Sequence, residues 1–147
     1  MSPKPGPHLG MAVLCERVLQ EKDGVLSIIR AIDRFTITLS GQNVPMQLPQ
    51  GQIAVTLVIM LKSGDARGRH TLTIWPELPS GERLPKTQMP VLFEGEDRGV
   101  NAILNIGLPI TQEGVYWFEV ILDDSQILTR VPLRVLYQPM QSSAAQG

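Results

Sequence analysis

The sequence has one cysteine and few charged residues. Cys15 is the only cysteine among 147 residues, which excludes an intrachain disulfide and a CxxC pair for zinc or redox chemistry. Charged residues make up 18% of the chain, and 13 basic and 14 acidic side chains leave a net charge of −1. This balance argues against a nucleic-acid partner that is held by a broad basic face. With 43% apolar residues, the composition is that of a folded domain.

Long apolar runs are also missing. Three prolines fall within Met1–Gly10, so this segment lacks the apolar core of a secretory signal. Charged residues interrupt every apolar run before it reaches the roughly 18 residues of a membrane span. The sequence therefore predicts a cytoplasmic protein without a membrane partner.

Motifs for catalysis and phosphate binding are absent too. The sequence contains no GxGxxG, GxxxxGK[ST], GxSxG or HExxH pattern. A nucleophile and base made of Cys15 with His8 or His70 is the catalytic alternative. Because Cys15 lies in an apolar strand pattern and free cysteines are usually buried, we expect it to pack in the core. The prediction is a protein without catalytic residues, metal or cofactor.

Glycine and proline punctuate the chain, with 13 Gly and 12 Pro, or about one residue in six. Together with small polar residues they form seven breaks between apolar runs, which leaves about eight strands. The runs repeat with a period of two, as strands do. Both faces of the run 53–61 are largely apolar, which predicts a strand covered on both sides. In the run 127–137, Arg130 and Arg134 occupy one face, which predicts a strand with one face in water.

The segment 11–39 is less regular. It predicts one strand, a turn at Asp23-Gly24, and a long second strand that bends near Arg30–Asp33. A short helix at 16–22 is the alternative, because those residues have adequate helix propensity.

A local sequence pattern indicates which kind of β fold the chain adopts. Ile110, Gly114 and Tyr116 precede and open a strand in the manner of the tyrosine corner of immunoglobulin-like sandwiches, where the tyrosine hydroxyl bonds backbone upstream. Strands without intervening helical patterns also favour an antiparallel sandwich. We therefore predict an all-β, antiparallel β-sandwich of about eight strands with immunoglobulin-like Greek-key topology. The sandwich is expected at 11–137, between flexible segments at 1–10 and 138–147.

Two stretches, Ala12–Thr36 and Gly114–Val135, resemble the ends of an uncharacterised group of small bacterial β-sandwich proteins. In that group an apolar first strand leads through a glycine turn to a second, and the chain ends in a Gly-x-Tyr hairpin. The resemblance covers about a third of the chain. It implies the fold and carries no catalytic residue.

Two acidic clusters fall at predicted loops: Glu94, Glu96 and Asp97, and Asp123 with Asp124. Calcium sites gather six to eight oxygens, but the spacing here matches no calcium loop. Arg98 also adjoins the first cluster and would offset its charge. Solvated turns are the favoured interpretation.

The strand 115–122 has an unusual face. If Tyr116 and Phe118 point into the core, Val115, Trp117 and Ile121 point outward, and Trp75 joins them from another strand. A terminal segment that covers this face, or a β-bulge that shifts the alternation, would explain it structurally. The functional alternative is a protein-binding surface, since tryptophan is frequent at interface hot spots. Carbohydrate stacking on Trp75 is a third interpretation.

The function that these features predict is a non-catalytic module that binds a protein partner or self-associates. The candidate interaction surface consists of Val115, Trp117, Ile121 and Trp75. The alternative is a sandwich that binds a small ligand or carbohydrate through the loops 94–99 and 75–88.

Overall fold

The computed structural model describes residues 6–95 and 98–142. Within these residues nine β-strands form two sheets, and no helix is present. The strands are β1 (His8–Gln20), β2 (Leu26–Ile32), β3 (Arg34–Gly41), β4 (Gly51–Lys62), β5 (Gly68–Glu77), β6 (Thr87–Phe93), β7 (Gly99–Ile110), β8 (Gly114–Leu122) and β9 (Gln126–Gln141). One sheet has the order β2-β1-β4-β7 and the other β3-β9-β8-β5-β6.

The core lies between the two sheets and follows the predicted alternation. Four inward side chains of β4 are at most 2% exposed: Val55, Leu57, Ile59 and Leu61. Burying each such aliphatic side chain contributes about 1.5–3 kcal/mol to folding. On the opposite face of β4, Thr56 and Val58 are buried as well, which confirms the prediction of a strand covered on both sides.

The strand count differs from the prediction of about eight because the long second strand is divided. β2 joins the four-stranded sheet, the chain turns at Asp33, and β3 joins the five-stranded sheet. Arg30 has a φ of 57°, in the left-handed region, close to the predicted bend. β3 pairs with β9 in parallel, whereas the other pairings between strands are antiparallel. The helix considered at 16–22 is wrong, since β1 continues as a strand to Gln20.

The predicted tyrosine corner is confirmed between β7 and β8. The hydroxyl of the fully buried Tyr116 donates to the Gln112 carbonyl at 2.6 Å and accepts from the Thr111 and Gln112 N–H groups at 3.2 and 3.3 Å. Gly114 has a φ of 136°, and a Cβ there would lie 2.8 Å from the Cβ of Pro79, so this position requires glycine. Two sheets joined through this corner make an immunoglobulin-like β-sandwich.

The first and last strands reach beyond the predicted limits of 11 and 137. β1 starts at His8, and β9 runs to Gln141 alongside β3. Of the segments predicted to be flexible, 1–5 and 143–147 lie outside the described residues.

Candidate protein-binding face

The outer face of the five-stranded sheet brings the two tryptophans together. Trp75 pairs with Glu119, and Glu119 pairs on its other side with Arg130. Two residues further along β5, Glu77 pairs with Trp117. Paired residues of neighbouring strands project from the same face of a sheet. The tryptophans therefore lie diagonally across β5 and β8 with a glutamate beside each, and we call this surface the tryptophan face.

Cationic side chains lie over both tryptophan rings. The guanidinium of Arg83 is 4.1 Å from the Trp75 ring centroid, and the Lys86 ammonium is 4.3 Å from it. The guanidinium of Arg130 is 4.7 Å from the Trp117 ring centroid. Such cation–π contacts contribute about 0.5–1 kcal/mol each at exposed sites and hold the rings in fixed orientations.

Two glutamates connect these arginines. Glu119, which is 8% exposed, lies 3.1 Å from Arg83 Nη1 and 3.6 Å from Arg130 Nε. Glu77 lies 3.4 Å from Arg83 and 3.2 Å from Arg130. Each carboxylate therefore pairs with both guanidiniums, so the charges of these four groups balance within the tryptophan face.

The connection between β5 and β6 places Arg83 in this network. Leu78 donates its N–H to the Glu82 carbonyl at 2.8 Å, and Leu84 donates to the Pro76 carbonyl at 2.9 Å. This local turn lets Arg83 pair with Glu77 as an isolated β-bridge. This pairing places the Arg83 guanidinium over β5, the strand that carries Trp75.

The residues proposed for the interaction surface differ in accessibility. Val115, Trp117 and Trp75 are half-buried on the tryptophan face. Ile121 is 8% exposed and adds almost nothing to the accessible surface. The pairing of β8 with β9 shifts between Val120 and Ile121, as the β-bulge alternative anticipated.

The sequence reasoning placed Glu119 on the outward face of β8 and Arg130 on the water-facing side of β9. It missed Glu77, Arg83 and Lys86, and it missed the network that joins these charged residues. If the pairing of Leu122 with Gln126 continued without the bulge, Thr129 rather than Arg130 would lie opposite Glu119. Arg83 and Lys86 belong to a loop whose path no periodic pattern indicates. Arg130 and Glu119 had a signal, since the alternation of β9 places Arg130 on the water-facing side and the alternation of β8 places Glu119 on the same face as Trp117.

A cleft adjoins the tryptophan face at its β3 side. It has a volume of about 360 Å³ and is lined by Asp33, Arg34, Val115, Trp117, Pro132 and Arg134. Arg34 on β3 and Arg134 on β9 are direct neighbours in the parallel register. The cleft thus combines an apolar floor with two adjacent guanidinium side chains.

The acidic turn between β8 and β9 is anchored by hydrogen bonds to β5. Asp123 and Asp124 have φ values of 54° and 56°, as the central residues of type I′ turns do. Asp123 accepts the N–H of Thr71 at 3.0 Å, and Asp124 accepts the hydroxyl of Thr73 at 3.4 Å. The hydrogen bonds of these carboxylates therefore fix the turn to β5, which agrees with the interpretation of this cluster as part of a solvated turn.

In the other acidic cluster, Glu94 pairs with Arg98 at 2.8 Å. The sequence predicted that Arg98 would offset the charge of this cluster. Glu96 and Asp97 lie outside the described residues. Over the ranges 6–95 and 98–142, no group of three His, Cys, Asp or Glu side chains is placed to hold a metal ion.

His70 and Asp123 form a close pair. His70 Nδ1 lies 2.6 Å from Asp123 Oδ2, and the ring packs edge-on against Phe93. The hydrogen bond with Asp123 raises the pKa of His70, and the same bond, helped by the Thr71 N–H, lowers the pKa of Asp123. Each partner therefore favours the charged form of the other.

We expect this pair to stabilise the fold most between about pH 4 and pH 6.5, the ordinary pKa values of aspartate and histidine. The raised pKa of His70 adds stability that is lost as pH rises through that pKa, and the lowered pKa of Asp123 adds stability that is lost as pH falls through its own. Thermal unfolding of wild type and His70→Gln should differ more at pH 5.5 than at pH 8.5. Asp123→Asn should likewise make the thermal stability depend less on pH, and asparagine tolerates the left-handed backbone of this turn. An equal difference at both pH values would contradict this account.

Cys15 is fully buried on β1, as predicted, and its Cα partners are Ala31 and Thr56. Burial raises the pKa of its thiol, which disfavours the nucleophilic thiolate. His8 begins the same strand, whereas His70 lies on β5 of the other sheet.

Comparison with known proteins places the chain in a family. Residues 10–136 match the model of DUF6941, which is described as a family of unknown function. The structure is also similar to a crystal structure of an immunoglobulin-like protein from Pseudomonas aeruginosa, with 13% identity, coverage of 91% of this chain and 99% of that chain, and a TM-score of 0.41. No curated protein matches the chain. Over the described part of the chain, no helix is long and apolar enough to cross a membrane. Because the match spans most of its length, the chain belongs to the DUF6941 family.

Proposed function

We propose that the protein is a non-catalytic interaction module that binds a protein partner, or a second copy of itself, through the tryptophan face. The observation that carries this proposal is the pair of half-buried tryptophans, each held under a cationic side chain on an open sheet face. Tryptophan and arginine are the residues most enriched at interface hot spots. Rings that are already oriented lose less conformational entropy when a partner binds.

The described ends of the chain favour an interface over a covering segment. β1 begins in the opposite sheet, and the end of β9 continues as a strand beside β3. Between residues 6 and 142, therefore, neither end crosses the tryptophan face. This supports the proposal that another molecule contacts it.

The alternative, a small-ligand or carbohydrate site, has weaker support in the loop 75–88. The cleft there has a volume of about 250 Å³ between that loop and β7. Small-molecule sites usually measure roughly 300–1,000 Å³. On Trp75, the two cations occupy ring surface on which a sugar would have to stack. Both features weigh against the ligand-binding alternative.

Substitution of Trp117 tests the proposal. We expect Trp117→Ser to weaken self-association or partner binding at least ~10-fold, because the substitution removes a hot-spot side chain. The control is Met46→Ser, since Met46 is 91% exposed in the loop between β3 and β4. Sedimentation velocity gives the mass of each assembly, and quantitative affinity purification gives the partners. Identical masses and partners for all three proteins would overturn the proposal.

A further inference from the structure

The cleft beside the tryptophan face has an unusual charge arrangement. Arg34 and Arg134 are Cα partners on adjacent strands, and both project to the outer side because their neighbours Phe35 and Val135 point toward the core. Like charges directly opposite each other on neighbouring strands are destabilising. Among the described residues, neither arginine has a carboxylate within ion-pair distance, although Asp33 lines the same cleft.

The carboxylates nearest along the sheet are already engaged. Glu77 and Glu119 both pair with Arg83 and Arg130. Among the described residues that line the cleft, Arg34 and Arg134 therefore bring two positive charges against the single carboxylate of Asp33, although the whole chain has a net charge of −1. Such local segregation of charge attracts ligands of the opposite sign.

The cleft also offers an apolar surface between these charges. Val115 pairs with Arg134, and Trp117 pairs with Pro132, so the three apolar side chains lie directly beside the arginines. A guanidinium binds a carboxylate through two parallel hydrogen bonds. An apolar side chain flanked by carboxylates would therefore fill the floor and neutralise both arginines at once.

We propose that the partner contacts the cleft through an acidic peptide segment, whose carboxylates pair with Arg34 and Arg134 while an adjacent apolar side chain packs on Trp117. This inference rests on the proposed function and specifies the chemistry of the partner. Binding relieves the repulsion between the two guanidiniums, which gives the acidic segment an advantage over neutral ones.

Selection from a phage-displayed library of random 12-residue peptides tests the inference. The wild-type protein is expected to enrich peptides in which Asp or Glu flanks an apolar residue. The double variant Arg34→Glu/Arg134→Glu should lose this enrichment and bind the selected peptides at least ~10-fold more weakly in fluorescence anisotropy. Arg17→Glu/Lys62→Glu is the matched control, since it changes the net charge equally at exposed positions of the other sheet.

Two variants separate the possible failures. Arg34→Gln/Arg134→Gln removes the charges without reversing them, and thermal unfolding of each variant verifies that it is folded. If the selected peptides are not acidic but lose affinity for Trp117→Ser, the inference is wrong and the proposed function stands. If the selected peptides bind Trp117→Ser and the two variants of the Arg34 and Arg134 pair as tightly as wild type, the inference and the proposed function are both wrong.

Discussion

Replacing Tyr116 with phenylalanine is expected to lower the free energy of unfolding by about 2 kcal/mol. The substitution keeps the buried ring and removes only the hydroxyl, which bonds the Gln112 carbonyl and the N–H groups of Thr111 and Gln112. These groups belong to the corner between β7 and β8, where the chain passes from one sheet to the other. Left unpaired beside a fully buried ring, they lose their partner without gaining full solvation. Urea unfolding should show a lower midpoint with an unchanged slope.

Tyr137→Phe is the matched control. The Tyr137 hydroxyl also donates to a backbone carbonyl, that of Pro45, at 2.7 Å, but this residue is only half-buried. Water therefore replaces its hydrogen bond, and we expect a loss below about 1 kcal/mol. Equal losses for both variants would mean that the corner at Tyr116 has no special contribution to stability.

The sequence predicted the parts of the fold that depend on local alternation. β4 is buried on both faces over Val55–Ile59 because its residues are apolar on both sides of one extended strand, and this signal needs no knowledge of its neighbours. The tyrosine corner was equally visible, since Gly114 and Tyr116 are close in sequence to the carbonyl that the hydroxyl contacts. In both cases the physical cause lies within a few residues.

Features that depend on distant pairing could not be predicted in the same way. The division of the second strand at Asp33 reflects the pairing of β3 with β9, about 100 residues later in the chain. For the candidate face, Trp75 and Trp117 were found from the sequence because tryptophan is conspicuous. Their cationic neighbours were not found, since Arg83 comes from a loop and Arg130 reaches its position through a bulge. The adjacency of Arg34 and Arg134 likewise depends on a parallel pairing that no local pattern indicates.

The charge network around the tryptophans leads to a second large effect. The side chain of Glu119 is 10% exposed, whereas those of Arg83 and Arg130 are 32% and 42% exposed. Water can therefore solvate either arginine when it loses its partner, but it cannot reach the Glu119 carboxylate to the same extent. Removal of both cations should consequently be far more destabilising than neutralisation of the glutamate.

We expect Arg83→Met/Arg130→Met to lower the free energy of unfolding by about 3 kcal/mol, near the lower end for an uncompensated buried charge. Methionine retains an apolar stem over the tryptophan rings, so the loss reports mainly on charge. Glu119→Gln alone should lose only about 1 kcal/mol, because both arginines keep Glu77 as a partner.

The decisive comparison adds Glu119→Gln to the double methionine variant. A neutral amide is much less unfavourable than an unpaired carboxylate at a buried position, so the triple variant should regain about 1–2 kcal/mol relative to the double variant. A substitution that destabilises wild type would then stabilise the variant, and only coupling between the charges produces that change of sign. Urea unfolding of the four proteins measures it directly. If Glu119→Gln destabilises both backgrounds equally, the two arginines do not compensate the buried charge, and packing alone holds the tryptophan face together.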